Sequence, residues 1–286
     1  MARAVAIVQA RMGSSRLPGK VLMDIEGVPM LRRVVERTRR ATTIHDTVVA
    51  TTTDALDDEI AEYCRESGIH AIRGSTFDVL DRYHTAARQT RADIIVRITA
   101  DCPLIDPILV DNAVQVLVGA PRPPASKRPV QPTAFDFVAN RLPPPWRRTY
   151  PIGLDTEVCT FLALERAWTE AKRPADREHV MPYLYEGVNL VSEGAPQVTG
   201  TSLRGFRVAL LNHQENLGAY RWTVDTANDL EFVRQVYRLL RQTPQFSWLE
   251  VLALVRRNPE LVAINAGIRH KTLGETDERA PGAEST

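Results

Sequence analysis

Along the first hundred residues the hydrophobic positions switch repeatedly between two periods. Residues 4–8, Ala-Val-Ala-Ile-Val, are apolar without polar alternation, the pattern of a strand buried on both faces of a parallel sheet. Over 30–41, Leu31, Val34, Val35 and Thr38 recur at helical spacing with arginines between them, which predicts a surface helix laid on that sheet. Further strands are predicted over 47–52, 70–73 and 94–99. One helix is expected from Asp54 through Ile60, Tyr63 and Cys64 to an end at Gly68. Another runs over 78–91, with Asp78 and Arg82 on one face. Asp101-Cys102-Pro103 closes the fourth strand, and a helix follows over 107–118. Strands alternating with helices in this way imply an α/β fold, a three-layer, mainly parallel sheet. Ligands of such sheets sit beyond the carboxyl ends of the strands. The loop after the first strand and Asp101 both fall there.

The pattern breaks after residue 118. Nine of the nineteen prolines lie between Pro121 and Pro151, interspersed with Arg122, Lys127, Arg128, Arg147 and Arg148, which excludes regular helix and predicts a loop followed by an extended arm. Alternation over 155–159 reads as a strand, and 162–172 and 175–186 as helices. The core pattern returns at 220–226 as a strand with Asp225 near its end, followed by a helix over 229–240 and shorter helices to Gly267. The organisation expected is a main unit over 1–245 with an arm inserted at 120–190, C-terminal helices over 246–271, and a disordered tail over 272–286 rich in Gly, Glu, Thr, Pro and Ser. No internal repeat is present.

Composition narrows the function classes. With 36 Lys and Arg against 35 Asp and Glu, the chain has no global field that would favour nucleic acid, so its basic clusters need local explanations. At 286 residues and 44% hydrophobic it can bury a full core. Cys64, Cys102 and Cys159 are far apart and odd in number, against a disulfide framework or a zinc site, and a reducing cytoplasm fits best. Neither a signal leader nor a run of eighteen apolar residues is found, so a soluble, unexported protein with no membrane partner is expected.

The candidate chemistry concentrates in residues 9–20. Arg11, Arg16 and Lys20 supply charge, while Gly13 and Gly19 allow main-chain N–H groups to approach a ligand, as a polyphosphate requires. A P-loop is excluded, because five residues rather than four separate the glycines and Val21 follows Lys20; there is no GxGxxG fingerprint either. A solvated basic turn is the plainer alternative. Asp101 and Asp225, both read as strand-end carboxylates, offer oxygen ligands that suit Mg²⁺ shared with phosphates, although a lone Asp at such a place commonly serves as a cap or turn residue.

Together, QARMGSSRLPGKVL, RGSTFDVLDRY, RITADCPLIDP, YPIGLDTEV, REHVMPYLYE and RWTVDT, in this order, resemble the cytidylyltransferases of the spore-coat polysaccharide biosynthesis protein F type, relatives of the acylneuraminate and 3-deoxy-manno-octulosonate cytidylyltransferases. The resemblance spans roughly residues 4–235. It implies a nucleotide-diphospho-sugar transferase fold of the glycosyltransferase-A-like kind, with CTP bound across the sheet edge and Mg²⁺ as cofactor. By this resemblance Arg11 and Lys20 are triphosphate ligands with Arg16 in support, beside Gly13 and Ser14, and Asp101 and Asp225 carry the metal; these four, Arg11, Lys20, Asp101 and Asp225, are the expected catalytic residues. Arg73 and Ser75 are expected near the base and ribose. Asp155, Glu157, Arg177 and His179 fall in the part that faces the acceptor or a partner subunit of a homodimer; for His179 a structural role stands beside a catalytic one. The acceptor expected is an anionic sugar acid, whose carboxylate Arg147 or Arg148 could contact. The stretch 140–150 and the Pro/Arg run from Pro121 are longer and more basic than the family pattern. Two other readings compete: a sugar transferase using a nucleotide-sugar donor, whose Asp-x-Asp motif is missing here because Cys102-Pro103 follows Asp101, and a non-catalytic nucleotide-binding protein of the same fold.

Overall fold

A computed structural model describes residues 2–119, 133–191 and 195–268. The chain opens with β1 (Ala4–Gln9), a loop and a 3₁₀ turn (Lys20–Leu22), then a small hairpin of β2 (Asp24–Ile25) and β3 (Val28–Pro29). Helix α1 (Met30–Arg39), β4 (Asp46–Thr52), α2 (Asp58–Glu66), β5 (Ala71–Gly74), α3 (Val79–Gln89), β6 (Ile94–Thr99) and α4 (Pro107–Val118) follow in the predicted alternation. Then come β7 (Phe137–Ala139), β8 (Glu157–Thr160), α5 (Phe161–Glu170), α6 (Pro174–His179), α7 (Pro182–Tyr185), β9 (Asn189–Val191), β10 (Gln197–Thr201) and β11 (Arg207–Leu211). Helices α8 (Ala227–Leu239), α9 (Trp248–Arg257) and α10 (Pro259–Ala263) complete it.

Nine strands form one sheet in the order β5-β4-β1-β6-β8-β7-β11-β10-β9, in which only β8 and β10 run against the rest. Alternation along β1 sorts the two faces. Ala4, Ala6 and Val8 join a core with α1, α4, α8 and α9, whereas Val5 and Ile7 join the opposite core with α3, α5 and α7. Buried on both faces, β1 is apolar from Ala4 to Val8 for this reason. The layers are thus helix, sheet, helix, and the carboxyl ends of β1 and β6, paired in parallel from Ala4↔Ile94 to Gln9↔Thr99, lie side by side.

Several elements differ from their sequence expectation. Residues 220–226 form no strand: a single parallel bridge joins Arg221 to Ile152, through Ile152 N–H to Tyr220 O at 2.9 Å and Trp222 N–H to Ile152 O at 2.7 Å, and beyond it Val224 N–H bonds to Asp101 O at 2.8 Å. The apolar alternation there reflects burial of Trp222 and Val224 beneath the site rather than strand pairing. The helix expected over 175–186 is two short ones, broken where Val180 takes a φ of 70° and Pro182, lacking an N–H, starts the second. The helix expected from Asp54 begins as a 3₁₀ turn (Ala55–Asp57) capped by the Asp54 side chain. Strands β7, β9, β10 and β11 were not anticipated; β7 and β8, from the stretch read as an inserted arm, lie inside the main sheet between β6 and β11. The expected tail at 272–286 and the Pro/Arg run at 121–132 lie outside the described residues.

Candidate active site

The loop after β1 is folded by its own backbone. Met12 O accepts from Ser14 N–H at 2.8 Å and from Gly19 N–H at 2.9 Å, closing residues 12–19 on themselves. Gly19 takes a φ of 71°, a left-handed conformation that costs other residues roughly 1–2 kcal/mol, and this turn delivers Lys20 into the sheet end. From outside, Asp57, 3% exposed, accepts the Met12 N–H at 2.6 Å through Oδ1 and the Thr52 hydroxyl through Oδ2. The loop is therefore tied to the end of β4 as well as to β1.

Lys20 is the centre of the arrangement. Its Nζ donates to Asp101 Oδ2 at 2.8 Å, Asp225 Oδ1 at 2.9 Å and the Val224 carbonyl at 2.7 Å. Burial works against its charged form, but the two carboxylates outweigh burial and hold the ammonium above its ordinary pKa. Asp225 Oδ2 also accepts from Arg221 at 2.7 Å and pairs with Arg16 at 2.9 Å. Burial alone would raise the Asp225 pKa; the Lys20, Arg16 and Arg221 cations reverse this and hold it well below the usual carboxylate range. Asp101 is set by β6: the Thr99 hydroxyl donates to its Oδ1 at 2.7 Å, and its carbonyl receives Val224 N–H and the Thr223 hydroxyl.

These groups open onto a cleft at the carboxyl edge of the sheet. Arg11, Ser14, Arg16, Lys20, Asp101 and Asp225, all anticipated from the sequence, line it together with Gln9, Ser15 and Thr99, which were not. A signal for the last three was available, since they flank the loop and the strand ends. Arg221 and Asp229 were also missed. Arg221 stands one helical turn before Asp225 in RWTVDT, and Asp229 one turn after it.

The other anticipated residues stand apart from this cleft. Arg73 is engaged by the Thr52 and Asp54 carbonyls and by Asp58 at 2.7 Å, and Ser75 Oγ accepts Asp78 N–H at 3.1 Å. Arg177 braces α6 on α3, through Asp78 at 2.9 Å and the Trp168 carbonyl at 2.7 Å, and His179 ends α6. Glu157 pairs with Arg97, whose Nη2 lies 3.5 Å from the Gln9 side chain at the cleft wall. Asp155 takes both arms of Arg148, one at 2.9 Å. Arg148 is thereby committed within the protein.

Hard oxygen donors, cations spaced for a polyphosphate and a parallel-sheet edge together define a nucleotide-handling transferase of the α/β class. The chain belongs to the cytidylyltransferase family, which it matches over residues 5–247. It is 30% identical to the spore coat polysaccharide biosynthesis protein SpsF of Bacillus subtilis over 261 residues, 89% of this chain and 94% of that one. A 3-deoxy-manno-octulosonate cytidylyltransferase of Trichlorobacter lovleyi is 42% identical over 119 residues, 41% of this chain and 46% of that protein. Among solved structures, a cytidylyltransferase from Leptospira borgpetersenii serovar Hardjo-bovis superposes with a TM-score of 0.75 at 29% identity, covering 94% of this chain and 100% of that chain. The activity is thus CTP-using nucleotidyl transfer. No helix among the described residues is long and apolar enough to cross a membrane.

Proposed function

We propose that this protein transfers CMP from CTP to an anionic sugar acid and releases pyrophosphate. The observation that carries the reading is Lys20 seated between Asp101 and Asp225 beneath a loop bearing Arg11 and Arg16. The family and the named activity of the Trichlorobacter relative support a 3-deoxy-ulosonic acid or a similar acceptor.

In this reading Arg11, Arg16 and Lys20 grip the triphosphate, with Gly13 and Ser14 closing the loop over it, and Asp101 lies against the α-phosphate. The acceptor hydroxyl attacks the α-phosphorus in line and loses its proton to solvent, forming the new P–O bond as the bond to the β-phosphate oxygen breaks and pyrophosphate leaves. The loop cations then receive the charge of the departing pyrophosphate, Lys20 exchanging one of its three bonds for a phosphate oxygen. Asp101 and Asp225 suit Mg²⁺. Among the described residues no third His, Cys, Asp or Glu joins them, so an ion here keeps water and phosphate oxygens as its remaining ligands, which is the habit of Mg²⁺ rather than zinc. Such an ion would neutralise phosphate charge and orient the oxygens.

Arg73 and Ser75 are assigned to the base and ribose. Asp155, Glu157, Arg177 and His179 are assigned to the acceptor side, where an acceptor carboxylate can exchange with Glu157 on Arg97. We assign the protein to a reducing cytoplasm, in keeping with three buried, unpaired cysteines, and to a homodimer. The outer strand β9, whose Val191 is 66% exposed, offers a surface for a second copy, and light scattering showing a monomer at micromolar concentration would remove that part.

The test is pyrophosphate release from each nucleoside triphosphate with Mg²⁺ across a panel of acidic sugars. Release is expected with CTP and an acidic sugar, and Asp101→Ala or Asp225→Ala should abolish it with the fold intact. CTP binding without turnover on any acceptor would replace this reading with a nucleotide-binding protein.

A further inference from the structure

The family match stops at residue 247, but the chain continues through α9 and α10 and returns to the site at Asn265. Asn265, 3% exposed, follows α10, and its Nδ2 donates to the Arg221 carbonyl and to Asp229 Oδ1, both at 2.9 Å. Asp229 is fully buried. Its carboxylate accepts from Arg221 Nε at 2.8 Å and Nη2 at 3.0 Å, from the Asp225 and Thr226 N–H groups at 3.0 Å each, and from the Thr226 hydroxyl at 3.0 Å. Arg221 Nη2 in turn donates to Asp225 Oδ2 at 2.7 Å. Asp225 is therefore held at both ends, main chain and carboxylate, by groups that converge on Asp229.

A guanidinium directs a bond only if its plane is fixed. The forked pair with Asp229 fixes the plane of Arg221, and the Asn265 amide fixes both the main chain of Arg221 and one oxygen of Asp229. The Lys20 and Arg16 contacts to Asp225 come from a loop that must also hold substrate. The contact from Arg221 comes from behind and is independent of that loop.

We propose that Asn265 is a positioning residue for Asp225, acting through Arg221 and Asp229, so that the helices beyond the matched segment set how Asp225 receives a divalent ion with the nucleotide. The inference rests on the reading of Asp225 as a metal carboxylate.

The experiment uses the full chain and calorimetric CTP binding as a function of Mn²⁺ concentration, with Leu261→Ala in α10 as a control that loosens the same helices without touching the network. Asn265→Ala should raise the Mn²⁺ concentration for half-maximal CTP binding about tenfold, the lower end of what loss of a supporting hydrogen bond costs a metal site. Asn265→Ser, which keeps one donor, should fall between that variant and wild type, and Leu261→Ala should lower the melting temperature but leave the Mn²⁺ dependence unchanged. If Asn265→Ala and Leu261→Ala lower the melting temperature alike and neither moves the Mn²⁺ dependence, Asn265 is structural only and the inference is overturned. If CTP binding by wild type ignores Mn²⁺, or Asp225→Ala retains the Mn²⁺ dependence, the reading of Asp225 itself falls, and this inference with it.

Discussion

Lys20 and Asp225 bias each other's protonation in opposite directions, and the signs set a pH window. Asp225 has its pKa depressed on folding, so its contribution to stability is complete above the ordinary Asp value of about 4 and is lost as pH falls toward the folded value. Lys20 has its pKa raised, so its contribution is complete below about 10.4 and is lost only as pH rises beyond that. Lys20 and Asp225 are then both charged from about pH 5 to 9. The stability difference between wild type and Asp225→Asn in urea should be constant over that range and shrink below about pH 4. Outside the site, His84 stacks on Trp168 with ring centroids 4.1 Å apart, and burial holds its pKa below the ordinary value. Stability tied to His84 is present above about pH 6.5 and is lost on acidification, so His84→Phe should flatten the fall in melting temperature between pH 7 and 5. Asp57 does not line the cleft, yet it anchors the loop at Met12. Asp57→Ala should raise the half-saturating CTP concentration about tenfold, the equivalent of roughly 1.4 kcal/mol, in a direct binding titration.

At the scale of elements, the site depends on a crossing rather than on a strand. Gly153, with a φ of 102°, packs so closely beneath residues 222–223 that an added Cβ would lie 2.5 Å from Thr223 N and 2.6 Å from Trp222 C. Backbone cannot yield there without moving Asp225 two residues on. Gly153→Ala is expected to cost about 3 kcal/mol in chemical denaturation and to reduce turnover in the molecules that remain folded. Sequence patterning recognised the helices well, because α1 buries Leu31, Val34, Val35 and Thr38 at the expected spacing. It misread 220–226, where apolar Trp222 and Val224 alternate in sequence with Arg221 and Thr223 but all four are buried, and Trp222 and Val224 bond to Ile152 and Asp101. Period-2 hydrophobicity without a neighbouring strand cannot be told from a strand by sequence pattern alone.

For the molecule as a whole, the C-terminal helices are part of the main core. Phe246, Trp248, Val251 and Val255 join the cluster that holds α1, α4 and α8. Buried Arg37 of α1 links this region to the loop before α4, donating to the Ile105 carbonyl at 2.7 Å and the Phe246 carbonyl at 3.1 Å, and its guanidinium lies 4.4 Å from the centre of the Phe246 ring. Phe246→Ala should cost about 3–5 kcal/mol in equilibrium unfolding by urea, a large share of the stability of a typical domain. A chain ending at residue 245 should lose cooperative unfolding, because the face of α8 and α1 that these helices cover is apolar.

The alternating β/α pattern, the loop cations Arg11, Arg16 and Lys20, and the carboxylates Asp101 and Asp225 are all legible in the sequence, because strand and helix periods and clustered charges are local properties. The sequence by itself therefore determined the class of fold, the edge of the sheet that carries the site and the kind of ligand it suits. Tertiary structure alone decided that Lys20 sits between the two carboxylates and that Asp229 and Asn265 support Asp225 from behind. It also placed β8 against the direction of β6. Apart from the bond between Asp225 and Asp229, four positions apart, those contacts join residues 36 to 205 positions apart in the chain, and their hydrogen bonds form only where packing of the two cores brings distant segments together.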